Sequence, residues 1–335
     1  MSEKPKVAIA CQGGGSHAAF AAGVLSKLLS PSCRDRFDIV ALSGTSGGAV
    51  CAALAWAGLI SGGPEDAERR LFGFWHDLEV HDLLDAAVNF WAVTLARLPV
   101  TQEISPYIYE PAAEPALRAL LQRHLDLDNL PADPKRRACP SLLVGATEIL
   151  AGERTVFNGT SLTYDMLIAS AAVPPLYRAV TIDGHLYWDG LFTSNPPIRE
   201  LTDLPNCPTE IWVVQINPQS RPEEPRSIRD IDDRRNELSG NLSLGQELYF
   251  IQKINDLIAK HESLAEHYHH IQIRVVELDV PGLDYPSKID RSPQLIEKLL
   301  AKGAEGAELF FDERSIWPRK GTIPAASVVH DTYQK

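Results

Sequence analysis

Cysteine is scarce and shows no pairing pattern. Cys11, Cys33, Cys51, Cys139 and Cys207 are five scattered residues without a C-x-x-C spacing. That argues against a disulfide framework or a structural zinc site and suits a reducing compartment. Long apolar runs are missing as well. No window reaches the roughly 18 uncharged apolar residues of a membrane-spanning helix. The closest, Leu83 to Pro99, is interrupted by Asp85, Asn89 and Arg97. The opening MSEKPKVAIAC enters a strand-like run without the apolar stretch of an export signal. The expectation is a soluble, cytoplasmic protein. Positive charge is in deficit: Lys+Arg 32 against Asp+Glu 44 gives a net charge of −12. No uniformly basic face is expected, so nucleic acid and strongly anionic membranes are poor partners. Internal repeats and low-complexity segments are absent.

What is present is the composition of a chain with a sizeable core: 44% hydrophobic and 23% charged over 335 residues. That length fits one large α/β domain or two ordinary ones. Residues 6–11 read as a buried strand, 17–29 as a helix and 37–43 as a second strand. A Gly-rich turn then leads into the uncharged stretch Ala49–Ile60, and a helix that is apolar all round belongs inside a fold. This alternation predicts a mostly parallel sheet. Residues 61–140 read as helices and Pro-containing loops. Strands return at 141–148, 155–157 and 179–182, and Asp183-Gly184 has hairpin-turn composition before a strand at 185–188. A further strand spans 211–216. The charged, Pro-containing stretch 218–240 reads as an exposed linker or flap. Beyond it, 242–266 and 293–303 read as helices and 271–278 as a strand. Strands on both sides of the flap can join one sheet, which favours one enlarged domain with a C-terminal extension.

Two glycine-rich turns can carry chemistry. Gly44-Thr45-Ser46-Gly47-Gly48 is a G-x-S-x-G pentapeptide between a predicted strand and a predicted helix. A sharp turn there holds a serine hydroxyl at the strand end, and the helix N-terminus offers N–H groups to an oxyanion. The competing explanation is that Ser46 merely caps the helix. Gly13-Gly14-Gly15-Ser16-His17-Ala18 fits G-x-G-x-x-[GA], the dinucleotide fingerprint, and fits equally an oxyanion loop. The fingerprint calls for an acid about 20 residues on, at the end of the second strand. Here that end is Ser43-Gly44, which weakens the nucleotide reading; a glycine turn for close packing is the third option.

A serine nucleophile needs a base. His261, His267, His269 and His270 lie in the polar run KHESLAEHYHH, predicted to be a solvated helical face with no matching metal-ligand spacing. Asp189, in Tyr187-Trp188-Asp189-Gly190-Leu191, follows the hairpin between aromatics and a glycine. Desolvation there would raise its basicity, although composition alone does not rank it above other acids. Asp183 is explained as a turn residue.

Taken together, these motifs resemble the patatin-like lipid acyl hydrolases, bacterial-type members with a C-terminal extension. That family combines a Gly-rich loop after the first strand, an early G-x-S-x-G and a later Asp-Gly-Gly or Asp-Gly-Ala. Ala169-Ser170-Ala171-Ala172-Val173-Pro174-Pro175 and Asn195-Pro196-Pro197 add to the likeness, which covers residues 5–218. The resemblance implies a three-layer αβα fold with a mostly parallel central sheet. It divides the chain into a catalytic core at 5–218, with a helical cap candidate at 61–140, and an extension at 219–335 packed on that core. It also implies a Ser46–Asp189 dyad with no catalytic histidine, no metal and no cofactor. The oxyanion would be held by Gly13, Gly14, Gly15 and Gly47, and the motifs supported by His17, Gly44, Gly48 and Gly190. The chain departs from the pattern at two places. His17-Ala18 stands where Arg or Lys and then Gly are usual, and Leu191 stands where a small residue is usual. A histidine titrating near its ordinary 6.5 would supply that charge only on protonation, giving activity a pH dependence between about 6 and 8.

The resulting expectation is a serine-dependent acyl-ester hydrolase of phospholipase A, lysophospholipase or general esterase type, acting on a lipid substrate. The alternatives are an NAD(P)-binding oxidoreductase and a non-catalytic lipid-binding member of the same fold. Phe72, Phe74, Trp75, Phe90 and Trp91, between Leu71 and Leu98, fit an apolar cap or interfacial helix pair making transient lipid-surface contact, or ordinary core helices.

Overall fold

The computed structural model describes residues 3–96, 105–108, 113–131, 139–174 and 176–318. Lys6–Cys11 forms strand β1, and Ala19–Leu29 forms helix α1 after a 3-10 turn at Gly15–Ala18. Asp38–Thr45 is β2 and Gly47–Ser61 is α2. The strand and helix therefore both run further into the G-x-S-x-G motif than the sequence predicts, and Ser46 alone joins them. Helices α3 (Pro64–Leu78), α4 (Leu83–Ala96) and α5 (Ala113–Leu125) follow, then strands β3 (Ser141–Glu148) and β4 (Glu153–Asn158) and helix α6 (Tyr164–Ser170). The hairpin β5 (Val180–Ile182) and β6 (His185–Asp189) turns at Asp183 and Gly184, both with positive φ as a two-residue type I′ turn requires. The chain continues through β7 (Glu210–Gln215), α7 (Ile228–Lys260), β8 (Gln272–Glu277) and α8 (Pro293–Ala307).

The strands make one mixed sheet in the order β5-β6-β3-β2-β1-β7-β8, with β4 on β3. Pairings among β3, β2, β1, β7 and β8 are parallel, and those of β4, β5 and β6 are antiparallel. Strand alternation divides the core. Val7, Ile9 and Cys11 face a large cluster with α1, α2, α3, α5, α6 and α8, whereas Ala8 and Ala10 face a smaller one closed by Leu244, Leu248 and Ile251 of α7. The result is three layers, αβα. Strand β8 completes the same sheet, and α8 packs on α1 so closely that a Cβ on Gly23 would lie 2.1 Å from the Leu300 carbonyl oxygen.

Several local expectations are corrected. The second half of the expected flap, from Ile228, is helix α7, started by a Ser227–Asp230 capping box and bearing buried Asp233, Glu237 and Gly240. Its charged sequence folds inward because Arg221 and Arg234 both pair with Glu237. His261, His267, His269 and His270 are exposed as expected, but they flank a 3-10 turn (Glu262–Glu266) that follows α7 rather than lying on a helix. Of the aromatic segment, α3 is core, with Leu71, Phe74 and Trp75 buried, whereas α4 lies on the surface with Leu83 90%, Phe90 62% and Trp91 59% exposed. Arg97, Leu98, Pro175 and parts of the expected cap, including 99–104 and 132–138, lie outside the described residues. No described helix is long and apolar enough to cross a membrane.

Candidate active site

Strand register alone assembles the site. Cys11 pairs with Gly44 across β1 and β2, so the loop leaving β1 and the turn leaving β2 emerge side by side. Thr45 pairs with Gly145 of β3, and the next β3 residue, Ala146, pairs with Asp189 of β6. Ser46 and Asp189 thus meet at the carboxyl ends of the parallel strands, where open α/β sheets form their clefts.

Ser46 has φ 56 and ψ −132, an unfavourable backbone for a residue with a side chain. The surroundings hold it there. Its N–H donates to the Ser170 Oγ at 2.9 Å, and that hydroxyl donates to the Gly145 carbonyl at 2.6 Å. Glycines make the turn possible by close approach. A Cβ on Gly48 would lie 2.3 Å from the Cys11 carbonyl oxygen, one on Gly44 2.6 Å from the Ala49 nitrogen, and one on Gly190 2.7 Å from the Gly145 carbonyl oxygen.

Asp189 is fully buried. Its Oδ1 accepts the Leu191 N–H at 2.8 Å, while Oδ2 has no hydrogen-bond partner among the described residues. The Ser46 hydroxyl is near enough to favour the ionised carboxylate, and Oδ2 is an open acceptor among the described residues. Burial dominates and pushes the carboxyl up to about 7, against the opposing influences of Ser46, the Leu191 amide and the Lys288 charge. A carboxylate titrating there is suited to taking and returning protons near neutrality. Leu191 is accommodated because α7 has a glycine opposite it: a Cβ on Gly240 would sit 3.3 Å from Leu191 Cδ1.

The glycine loop differs from expectation at Gly13. Its N–H donates to the Asn195 Oδ1 at 2.7 Å, so that amide is already engaged and cannot also serve an oxyanion. Gly13 instead packs beneath the turn, where a Cβ would lie 2.8 Å from the Ser46 Cβ. Among the described residues, no hydrogen bond engages the amides of Gly14, Gly15 or Gly47, the last at the N-terminus of α2. The charge expected of protonated His17 is also overturned. His17 is 4% exposed, its Nε2 lies 2.8 Å from the Ser287 Oγ, and burial together with the neighbouring Lys288 pushes it down to about 3. It is therefore neutral near pH 7.

Residues that sequence reasoning passed over hold this arrangement. Gln12 accepts the N–H groups of Ile216 and Asn217 and donates to the Gly240 carbonyl and Asn241. Asn195, noted only for its motif, ties Gly13 to the Gly240 carbonyl through its Nδ2. Lys288 gave no local sequence signal. Among the described residues no group of His, Cys, Asp and Glu could hold a metal ion.

A patatin-like phospholipase family model matches residues 9–202. No curated protein gives a significant match. Among solved structures, VipD from Legionella pneumophila aligns at TM-score 0.45 and 13% identity, over 92% of this chain and 67% of that one. The type III effector ExoU aligns at TM-score 0.41 and 13% identity, over 94% of this chain and 54% of its own length. The heterodimeric ExoU–SpcU complex of Pseudomonas aeruginosa gives 0.35 and 13%, over 91% and 52%. The chain thus spans about half to two thirds of these structures, and the dinucleotide alternative gives way to the family match. Because that match covers more than half of the sequence, the chain belongs to the patatin-like phospholipase family.

Proposed function

We propose that the protein is a serine-dependent acyl-ester hydrolase acting on lipids through a Ser46–Asp189 dyad. The observation that carries this reading is the strained Ser46 beside a fully buried carboxylate with one uncommitted oxygen. Ser46 Oγ attacks the ester carbonyl while its proton passes to Asp189 Oδ2. The carbonyl oxygen becomes an oxyanion, received by the free amides of Gly14, Gly15 and Gly47. Its collapse breaks the bond to the alcohol, which leaves with the proton from Asp189. Water then attacks the acyl-enzyme, giving a proton to Asp189 and releasing the fatty acid as Ser46 is re-protonated. His17, the histidine of the glycine loop, is committed to Ser287, and in this reading Asp189 rather than a histidine is the base. The exposed apolar side of α4 supports transient contact with a lipid surface. Five free thiols support a cytoplasmic setting.

The test is fluorophosphonate labelling with mapping of the modified residue. Labelling at Ser46 and its loss in Ser46→Ala, with hydrolysis down by several orders of magnitude, is expected. Undiminished hydrolysis by a folded Ser46→Ala variant would overturn the reading. Acyl-chain binding without turnover or labelling would identify a lipid-binding member instead.

A further inference from the structure

The glycine loop carries no charge of its own, because its histidine is held neutral. The cation beside it comes from the far end of the chain, on a 3-10 turn at Pro286–Ile289 that lies against the loop. His17 Nε2 meets the Ser287 Oγ at 2.8 Å, a Cβ on Gly15 would lie 2.3 Å from the Lys288 carbonyl oxygen, and Lys288 reaches across to Asn217. The Lys288 Nζ donates to the Asn217 Oδ1 at 2.7 Å and to the Asn236 Oδ1 at 2.6 Å. Asn217 follows β7, and its N–H donates to Gln12 at the root of the glycine loop. One short hydrogen-bonded path therefore joins the ammonium to the loop backbone. Both of these acceptors are neutral amides, so among the described residues no direct carboxylate contact cancels the charge.

We propose that Lys288 is the fixed cation of the hydrolytic centre, a positioning residue whose ammonium favours both the ionised Asp189 and the oxyanion forming at Gly14 and Gly15. This rests on the Ser46–Asp189 reading. The titratable groups around Lys288 come from several elements: the neutral His17 from the loop, Asp189 from β6, Asp233 and Glu237 from α7, and Asp284, Tyr285 and Asp290 from its own segment. Glu237 is matched by Arg221 and Arg234, and Asp284 by Arg229. Asp233, Glu237, Asp284 and Lys288 line a cavity of about 140 Å³ next to the loop. Burial pushes Lys288 down to about 8, opposed by Glu237, Asp233 and Asp189, while the Lys288 charge in turn favours the Asp189 carboxylate. Activity therefore needs Asp189 ionised and Lys288 protonated, and kcat/KM should follow a narrow bell whose two limbs belong to the coupled pair.

The experiment compares pH profiles of ester hydrolysis and the rate of fluorophosphonate labelling at Ser46 for wild type, Lys288→Met, Lys288→Arg and Asn236→Ala, with thermal melts of each. Lys288→Met should still be labelled at Ser46, about ten-fold more slowly or worse at pH 7. Its acid limb should move to higher pH and its basic limb should vanish. Lys288→Arg should restore part of the rate and carry the basic limb upward, since a guanidinium stays charged. Asn236→Ala, which keeps the lysine but removes one acceptor, should move the basic limb to lower pH. A uniform loss of rate with unchanged limbs would show a merely structural role and overturn the proposal, whether or not Lys288→Met folds, because Asn236→Ala reports the same limb. Wild type that is labelled at Ser46 but lacks a basic limb refutes the Lys288 role alone. Wild type without Ser46 labelling refutes the dyad and this proposal together.

Discussion

Replacing Asp189 by Asn should abolish turnover and yet stabilise the protein in alkaline solution. The carboxyl moves from an ordinary 3.8 to about 7 in the folded chain because it is fully buried with one oxygen unpartnered. The raised value means the folded state binds the proton more tightly than the unfolded state. Stability therefore falls as pH rises through the window between about 4 and 7, and the whole penalty applies above it. At about 1.36 kcal/mol per pH unit, a rise from 3.8 to about 7 amounts to about 4 kcal/mol. The Asp189→Asn variant, uncharged at every pH, escapes that penalty. It also lacks the anion that helps keep Lys288 protonated, so the net gain at pH 8 should lie nearer about 1–3 kcal/mol, or several degrees in Tm. The assay is urea unfolding of wild type and variant at pH 4.5, 6, 7 and 8. The stability difference, variant minus wild type, should grow with pH and level off above about 7. Hydrolysis of a soluble ester should fall by about 1,000-fold or more at every pH. A difference independent of pH, or a variant less stable than wild type at pH 8, would refute the burial argument. Activity within ten-fold of wild type would refute the role of Asp189 as base.

His17→Arg should destabilise by about 3 kcal/mol or more, visible as a lowered Tm, because it places an unpaired guanidinium in a buried site beside the Lys288 ammonium; an unchanged Tm would contradict the packing. Single alanine variants of the exposed His261, His267, His269 and His270 should hydrolyse esters within about two-fold of wild type, and a large loss from any one of them would revive a histidine base. Replacing Phe90 and Trp91, 62% and 59% exposed, by Ser should lower partitioning onto zwitterionic vesicles about ten-fold while leaving a short soluble ester unaffected. Equal vesicle binding in sedimentation would remove α4 from the lipid contact.

Local structure was legible in the order of residues. A short apolar run ended by glycines, an uncharged helix after G-x-S-x-G and Asp183-Gly184 between strand-like runs each read correctly, because strand, turn and helix preferences act over a few residues. The family, too, was legible from three motifs in order. The charged first turns of α7 misled because their buried Glu237 is matched by Arg221 and Arg234 only once the chain has folded. The site itself came from long-range packing. Strand register, parallel from β2 to β3 and antiparallel from β3 to β6, placed Asp189 beside Ser46, although 143 positions separate their numbers. Packing also engaged the Gly13 amide with Asn195 across 182 residues and seated the Pro286–Ile289 turn on His17 across 270. Burial then set the proton affinities, lowering His17 to about 3 and raising Asp189 to about 7. Such shifts depend on desolvation by elements distant in sequence, and a residue's chain neighbours carry no record of them.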